Sequence, residues 1–436
     1  MINSLITFLI YIKVLTILQF RIYLLVNITL YNNCWRIIMD ISKRIQRLKV
    51  SPVRKLNPYA EDAVKRGIKI YHLNVGQPDI ETPRIFFEAI SKYNDKTLKY
   101  EHSRGIKPLI NKIQKYYEKL GLHYEEEEIV VTSGGSEAIS FAMLAIFDEG
   151  DEILVSEPLY ANYKSFYDIY NIKYNAVRTY AEDGFHLPSR EEIEKHITPK
   201  TKAFMLANPS NPTGVVYTKK ELDDIAYIAK KYDLFIISDE VYREFIYGDR
   251  KAISFGTYKD LEEHVIIIDS ISKRFSACGA RVGCLISKNK KLMTAVFREC
   301  QARLSLPTLD MIGAAALYDL PDNYFDDALK EYDYRRKIIF EELSTMEGVI
   351  SHEPEGAFYV LAKLPVKNAE NFIIWLLKDF NINNETVMFA PAEGFYATEG
   401  LGKDEVRISY ALDAEDLKKS MHILREALIK YKEIDK

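Results

Sequence analysis

Short runs of β-branched and aliphatic residues recur along the chain, and each ends in a cluster of glycine, proline, hydroxyl or charged residues. The runs at 129–131, 153–155, 203–206, 234–237 and 265–268 are apolar at consecutive positions and too short for helices, which predicts strands buried on both faces. Segments of helical period stand among them, at 106–120, 138–147 and 221–231. Strands alternating with helices predict an α/β domain, a mostly parallel sheet with helices on both faces. Functional groups in such sheets gather at the carboxyl ends of the strands.

The two ends of the chain follow other patterns. Residues 39–66 carry a helical pattern broken at Pro52 and Pro58, and a short strand at 71–75 leads into Gly76-Gln77-Pro78-Asp79. Beyond Pro321 a long charged helical pattern spans 326–346, followed by strands beginning at 353–359 and at 406–410. Before all of this, Leu5 to Tyr31 is strongly apolar, yet Lys13 and Arg21 interrupt it and no small-residue cleavage site follows. A clean membrane span needs about 20 apolar residues, so a membrane anchor is one reading of this stretch. The favoured expectation is that Met39 is the working amino terminus and that residues 1–38, an apolar extension, lie outside the fold.

Composition narrows the class. A chain of 436 residues with 47% hydrophobic and 28% charged residues and a net charge of -4 has ample core and carries neither the signature of disorder nor a nucleic-acid footprint. Small molecules are the expected partners. The four cysteines form no CxxC pair and no HxxxH stands nearby, so neither a metal site nor a disulfide framework is expected. Free thiols fit a cytoplasmic protein.

The strand ends carry the chemistry. Lys273 stands just past the run at 265–268, where partial desolvation makes a neutral amine available for a Schiff base. Ser270, Ser272 and Arg281 flank it and suit a phosphate. Thr132-Ser133-Gly134-Gly135-Ser136-Glu137, between a strand and a helix, is a ready anion site because unpaired N–H groups and the helix dipole favour negative charge. Asp239 ends the run at 234–237, and a buried carboxylate there requires a partner. Asn208-Pro209-Ser210-Asn211-Pro212-Thr213-Gly214 is a defined turn, with a cis bond expected before one proline.

The string from Ser270 to Gly283 resembles the pyridoxal-phosphate attachment signature of class I aminotransferases, and the remaining motifs follow in that family's order across residues 39–436. The resemblance implies an α/β, fold-type I enzyme. Its large domain, 86–324, would hold a mostly parallel sheet flanked by helices, and 39–85 with 325–436 would form a smaller α+β domain. It also implies pyridoxal 5'-phosphate as cofactor and a homodimer with shared active sites. Lys273 becomes the Schiff-base lysine, Asp239 the partner of the pyridinium nitrogen, Tyr160 the stacking ring and Tyr242 the donor to the phenolic oxygen. Gly135, Ser136, Ser270, Ser272 and Arg281 would hold the phosphate, and Tyr100 would reach the phosphate of the neighbouring subunit. Gly76, Asn211 and Arg407 would meet the substrate, with Arg407 gripping the α-carboxylate.

The implied reaction is transamination of an L-amino acid, aspartate favoured, with a 2-oxo acid such as 2-oxoglutarate. Carbon–sulfur lyases share the fold and the motifs. Non-catalytic transcription regulators borrow it too, with an added basic DNA-binding domain that the apolar residues 1–38 do not supply. The sequence departs from the family pattern at Pro108-Leu109-Ile110, in the loop Ala390-Pro391-Ala392-Glu393-Gly394-Phe395, and at Ser136, where one aspartate-using branch has lysine. Arg303 stands four residues before Pro307, whereas the aspartate branch places an arginine six before its proline. Two readings of Arg303 follow: partner, from across the dimer, of the substrate's distal carboxylate, or a helix-end arginine on the surface or in a dimer contact.

Overall fold

A computed structural model describes residues 2–34, 40–48 and 51–434, which fall into two units, Met1–Arg47 and Leu48–Lys436. The first unit carries a helix at Ile2–Cys34 and a short one at Lys43–Arg47. Its stretch Ile2–Asn27, mean hydropathy 1.8, is long and apolar enough to cross a membrane by length and composition. Met39, the expected working start, lies outside the described residues.

The second unit is organised on a seven-stranded sheet. Its spatial order is Ile129–Thr132, Gly283–Ile286, Val265–Ser270, Phe235–Asp239, Thr201–Ala207, Glu152–Glu157 and Lys173–Arg178. All neighbours are parallel except around Gly283–Ile286, which runs against both of its partners. Period-two alternation divides each strand between two apolar layers. Phe204, Leu206, Ile236 and Ile267 pack into one cluster, while Ala203, Met205, Ile237, Ile266 and Ile268 pack into the other. The consecutive apolar positions seen in the sequence are therefore two half-patterns superposed.

Local chemistry sets the helix ends. Lys219–Tyr232 begins two residues before the predicted start because Thr218 and Glu221 form a capping box, and it stops where Asp233 turns left-handed at φ 54.

A third apolar cluster draws on both ends of this unit, joining Leu56, Tyr71 and Leu73 to Tyr332, Phe358, Phe372 and Leu424. Around it lie a parallel pair, Lys69–His72 with Glu385–Met388, and an antiparallel sheet of Ala390–Pro391, Glu405–Ser409, Tyr359–Lys363 and Ile350–Ser351. The strand expected from residue 353 begins only at Tyr359, because Ala357 takes a left-handed φ of 55 and interrupts an extended run.

Candidate active site

The strand Ile129–Thr132 passes through Ser133 into the helix Gly134–Ile146, whose first residue has φ +71. A Cβ on Gly134 would also stand 2.5 Å from the Arg281 guanidinium, and one on Gly283 would stand 2.7 Å from both Asp269 O and Gly134 C. Glycine is favoured at 134 by its left-handed φ and required at 283 by close backbone approach. Gly135 and Ser136 open the helix beside them. Across the gap, the Ser272 N–H donates to Ser270 Oγ at 3.2 Å, and Ser270 Oγ donates to Val282 O at 3.0 Å. Arg281 donates to Cys278 O at 3.0 Å and to Ser133 O at 3.4 Å. The structure thus gathers the glycine turn, both serines and Arg281 at one helix amino terminus, where backbone donors and a cation face the same space.

Lys273 lies in the four-residue helix Ile271–Arg274, and its Nζ donates to Gly76 O at 2.7 Å. Gly76 leaves no room for a side chain, since a Cβ there would sit 1.7 Å from the Tyr359 hydroxyl. Tyr359 in turn donates to Gly76 O at 3.4 Å and shares a 2.8 Å hydrogen bond with the Tyr242 hydroxyl. Beneath the lysine, Arg274 Nη2 reaches both oxygens of the fully buried Asp269, at 2.9 and 2.8 Å. Arg243 pairs with Glu240 alongside.

Asp239 ends its strand 6% exposed. It accepts a hydrogen bond from the Tyr163 hydroxyl and a 3.3 Å one from the Val241 N–H, and no cation among the described residues pairs with it. Burial pushes its carboxyl up to about 6, and the Tyr163 hydrogen bond only partly opposes this. Tyr160 caps the helix Ala161–Tyr170, with its ring edge-on to Tyr163 at 5.3 Å.

Arg407, in Glu405–Ser409, is 3% exposed. It donates to Asn211 Oδ1 at 3.1 Å and to Asn74 O at 2.6 Å, and its guanidinium lies over the rings of Tyr359 and Phe395, 4.5 and 5.1 Å from their centroids. Its Nε has no hydrogen-bond partner among the described residues. A buried arginine without a carboxylate is poised for an anionic ligand. The Asn208–Pro209 and Asn211–Pro212 bonds are both cis, where one was expected.

Two sequence-predicted residues stand apart from this group. Tyr100 is 83% exposed. Arg303 is engaged within its own chain: its Nη1 pairs with Glu137 Oε2 at 2.6 Å, while Nη2 and Nε donate to Ser103 O and Leu304 O, each at 2.8 Å. The anion that a half-buried arginine needs is supplied from within the chain. Conversely, Tyr163, Tyr359, Asn74 and Phe395 belong to the site without having been singled out. For Tyr163 the available signal was its three-residue spacing from Tyr160 at a helix start.

Residues 68–424 match the aminotransferase class I and II family. The chain belongs to the class I and II aminotransferases. It is 29% identical to the aspartate aminotransferase of Bacillus subtilis over 90% of this chain and all of that one. Identity to the Thermotoga maritima aspartate aminotransferase is 32%, over 89% and 99%. The solved alanine aminotransferase from Pyrococcus furiosus superposes with a TM-score of 0.82 at 30% identity, over 90% and 100%. This aminotransferase has the α/β, fold-type I architecture, and its cofactor is pyridoxal 5'-phosphate. The residues present fit that group: an uncompensated buried carboxylate suits a protonated ring nitrogen, and the glycine turn with Arg281 suits a phosphate.

Proposed function

We propose that this aminotransferase moves the amino group of L-aspartate to 2-oxoglutarate, in the cytoplasm, as a homodimer with shared active sites. The observation that carries the reading is the lysine amine seated on Gly76 O in the same site as an unpaired buried carboxylate and a buried arginine. Two of the relatives above bear the name aspartate aminotransferase, which supports the donor.

In this reading the Lys273 amine would hold the cofactor through a Schiff base and would carry the proton to and from the substrate Cα. The cofactor, when bound, supplies an electron sink for the carbanion that proton removal leaves. Asp239 keeps the ring nitrogen protonated, and Tyr163 orients Asp239. Gly135, Ser136, Ser270, Ser272 and Arg281 would hold the phosphate, Tyr160 would stack on the ring and Tyr242 would donate to the phenolic oxygen. Arg407 takes the α-carboxylate in a bidentate pair with Asn211 beside it, and the Gly76 backbone lines the same end. Tyr100, exposed on one chain, reaches the phosphate bound by a second copy. We assign 86–324 to a large domain, 39–85 with 325–436 to a small one, and residues 1–38 to neither.

The test is a panel of amino donors with 2-oxoglutarate as acceptor, run on wild type and Lys273→Ala. Aspartate should give stoichiometric amino-group transfer, without release of ammonia or pyruvate. The alanine variant should lose visible absorbance and, with both its amine and its proton carrier gone, more than roughly 10²- to 10⁴-fold in rate. Near-wild-type turnover in Lys273→Ala would sink the assignment.

A further inference from the structure

We propose that Arg54 recognises the distal anionic group of the substrate, a side-chain carboxylate. The inference rests on the reading of a dicarboxylic amino donor. Arg54 lies in a turn that backbone hydrogen bonds hold at both ends, from the Arg54 N–H to Ser51 O and from the Asn57 N–H to Arg54 O, each 3.0 Å. Its neighbours anchor the turn. Lys55 pairs with Glu370, Leu56 is buried, and Val53 packs on the cluster that contains Ala390, Ala392 and Phe395. Pro52 lies so close to Gly394 that a Cβ on that glycine would come within 2.5 Å of it.

The surface this turn rests on is a wall of the site. Ala390 is in register with Arg407, the Phe395 ring lies under the Arg407 guanidinium, and Phe395 O accepts a 2.8 Å hydrogen bond from the Leu159 N–H, next to Tyr160. The loop Ala390-Pro391-Ala392-Glu393-Gly394-Phe395 is also where the sequence departs from its family's pattern. Arg54 is near enough for its charge to act on the Tyr160 hydroxyl, as the charge of Arg407 also does. Two guanidinium charges therefore bear on Tyr160, and one of them, Arg407, is expected to take the α-carboxylate.

Arg54 is also free to bind. It is exposed and makes no ion pair or side-chain hydrogen bond among the described residues. The other arginines near the site are engaged: Arg303 by Glu137, Arg274 by Asp269, Arg243 by Glu240, and Arg281 by two backbone carbonyls. A planar fork with all its donors open, on an anchored turn at the rim of an anion site, matches a second carboxylate in geometry and charge.

The experiment compares holoenzyme of wild type, Arg54→Leu and Arg54→Lys. It measures kcat/KM for aspartate and alanine, and spectroscopic titration with maleate as an unreactive dicarboxylate. Arg54→Leu should lower the aspartate-to-alanine ratio roughly ten- to a hundred-fold and weaken maleate binding, with alanine turnover kept and Arg54→Lys in between. A wild type that prefers alanine to both aspartate and glutamate would remove the dicarboxylate reading and this inference together. A wild type that prefers aspartate, with the ratio unchanged in Arg54→Leu, overturns the inference alone. Loss of cofactor absorbance in both variants would show a structural role and overturn it as well.

Discussion

A carboxyl group buried at a strand end, answered only by a phenol and one amide, is destabilised as an anion, and Asp239 is held in that setting. Its folded value of about 6 lies above the ordinary 3.8, so the cofactor-free protein binds an extra proton between those values. Stability is therefore lost as pH rises through that window and is level on either side of it. In cofactor-free protein, the melting temperature of Asp239→Asn relative to wild type should rise from pH 4 to pH 6.5 and then level off. Parallel profiles for the two proteins would show that Asp239 is compensated by some other group. At this scale the sequence was legible where residue type and strand end coincided, as for Lys273, Asp239 and Asn211, and at Arg407 through a lone charge among apolar neighbours within a strand. It was silent on Asn74, which acts through a backbone carbonyl that any residue could supply, and on Tyr359, whose role follows from packing against Gly76. The surroundings of Arg303 were equally closed to the sequence, because its counter-ion, Glu137, is 166 positions away in the chain and adjacent only in the fold.

The helix that carries Lys273 has four residues, Ile271–Arg274, far below the length at which a helix is stable alone. Tertiary contacts must hold it, and the strongest is the buried pair of Arg274 with Asp269. Removing Arg274 leaves Asp269 with the more distant Arg243 Nη1 at 3.7 Å and the Tyr117 hydroxyl at 3.1 Å, so Arg274→Ala should lower the unfolding free energy by about 3 kcal/mol, the lower end for a broken buried pair. Arg274→Lys, which keeps the charge but loses the further bonds of the guanidinium to Glu244 and Tyr318, should fall between. Denaturant titration monitored by circular dichroism measures both, and an alanine variant within 1 kcal/mol of wild type, roughly the range of an exposed pair, would mean the helix is anchored elsewhere. The longer helices and the consecutive apolar strands were readable from periodicity alone, usually to within two residues at each end. The strand Gly283–Ile286 was not, because four residues directly after the lysine loop give too short a run to fix a period or a direction. Its reversed direction follows from the turn that brings Gly283 back against Gly134.

At the scale of the whole chain, every residue assigned here to cofactor or substrate belongs to the unit Leu48–Lys436. The unit Met1–Arg47 contributes a helix whose described side chains are exposed, among them Leu5, Phe8, Ile17 and Leu25. At roughly 1.5 Å per residue, its stretch Ile2–Asn27 reaches well past the thickness of a bilayer's hydrocarbon core. An apolar surface of that extent promotes association with lipid, with detergent or with other copies. The chemistry asks nothing of it, since no motif precedes Arg54 and the core clusters begin at Val53 and Leu56. A protein starting at Met39 should therefore match the full chain in visible absorbance and in kcat/KM for aspartate. It should also elute as a single dimeric species without detergent, whereas the 436-residue chain should need detergent to do so. Size-exclusion chromatography with light scattering, run beside the transamination assay, decides the matter. A truncated protein that aggregates or releases its cofactor would show that the apolar helix belongs to the working fold.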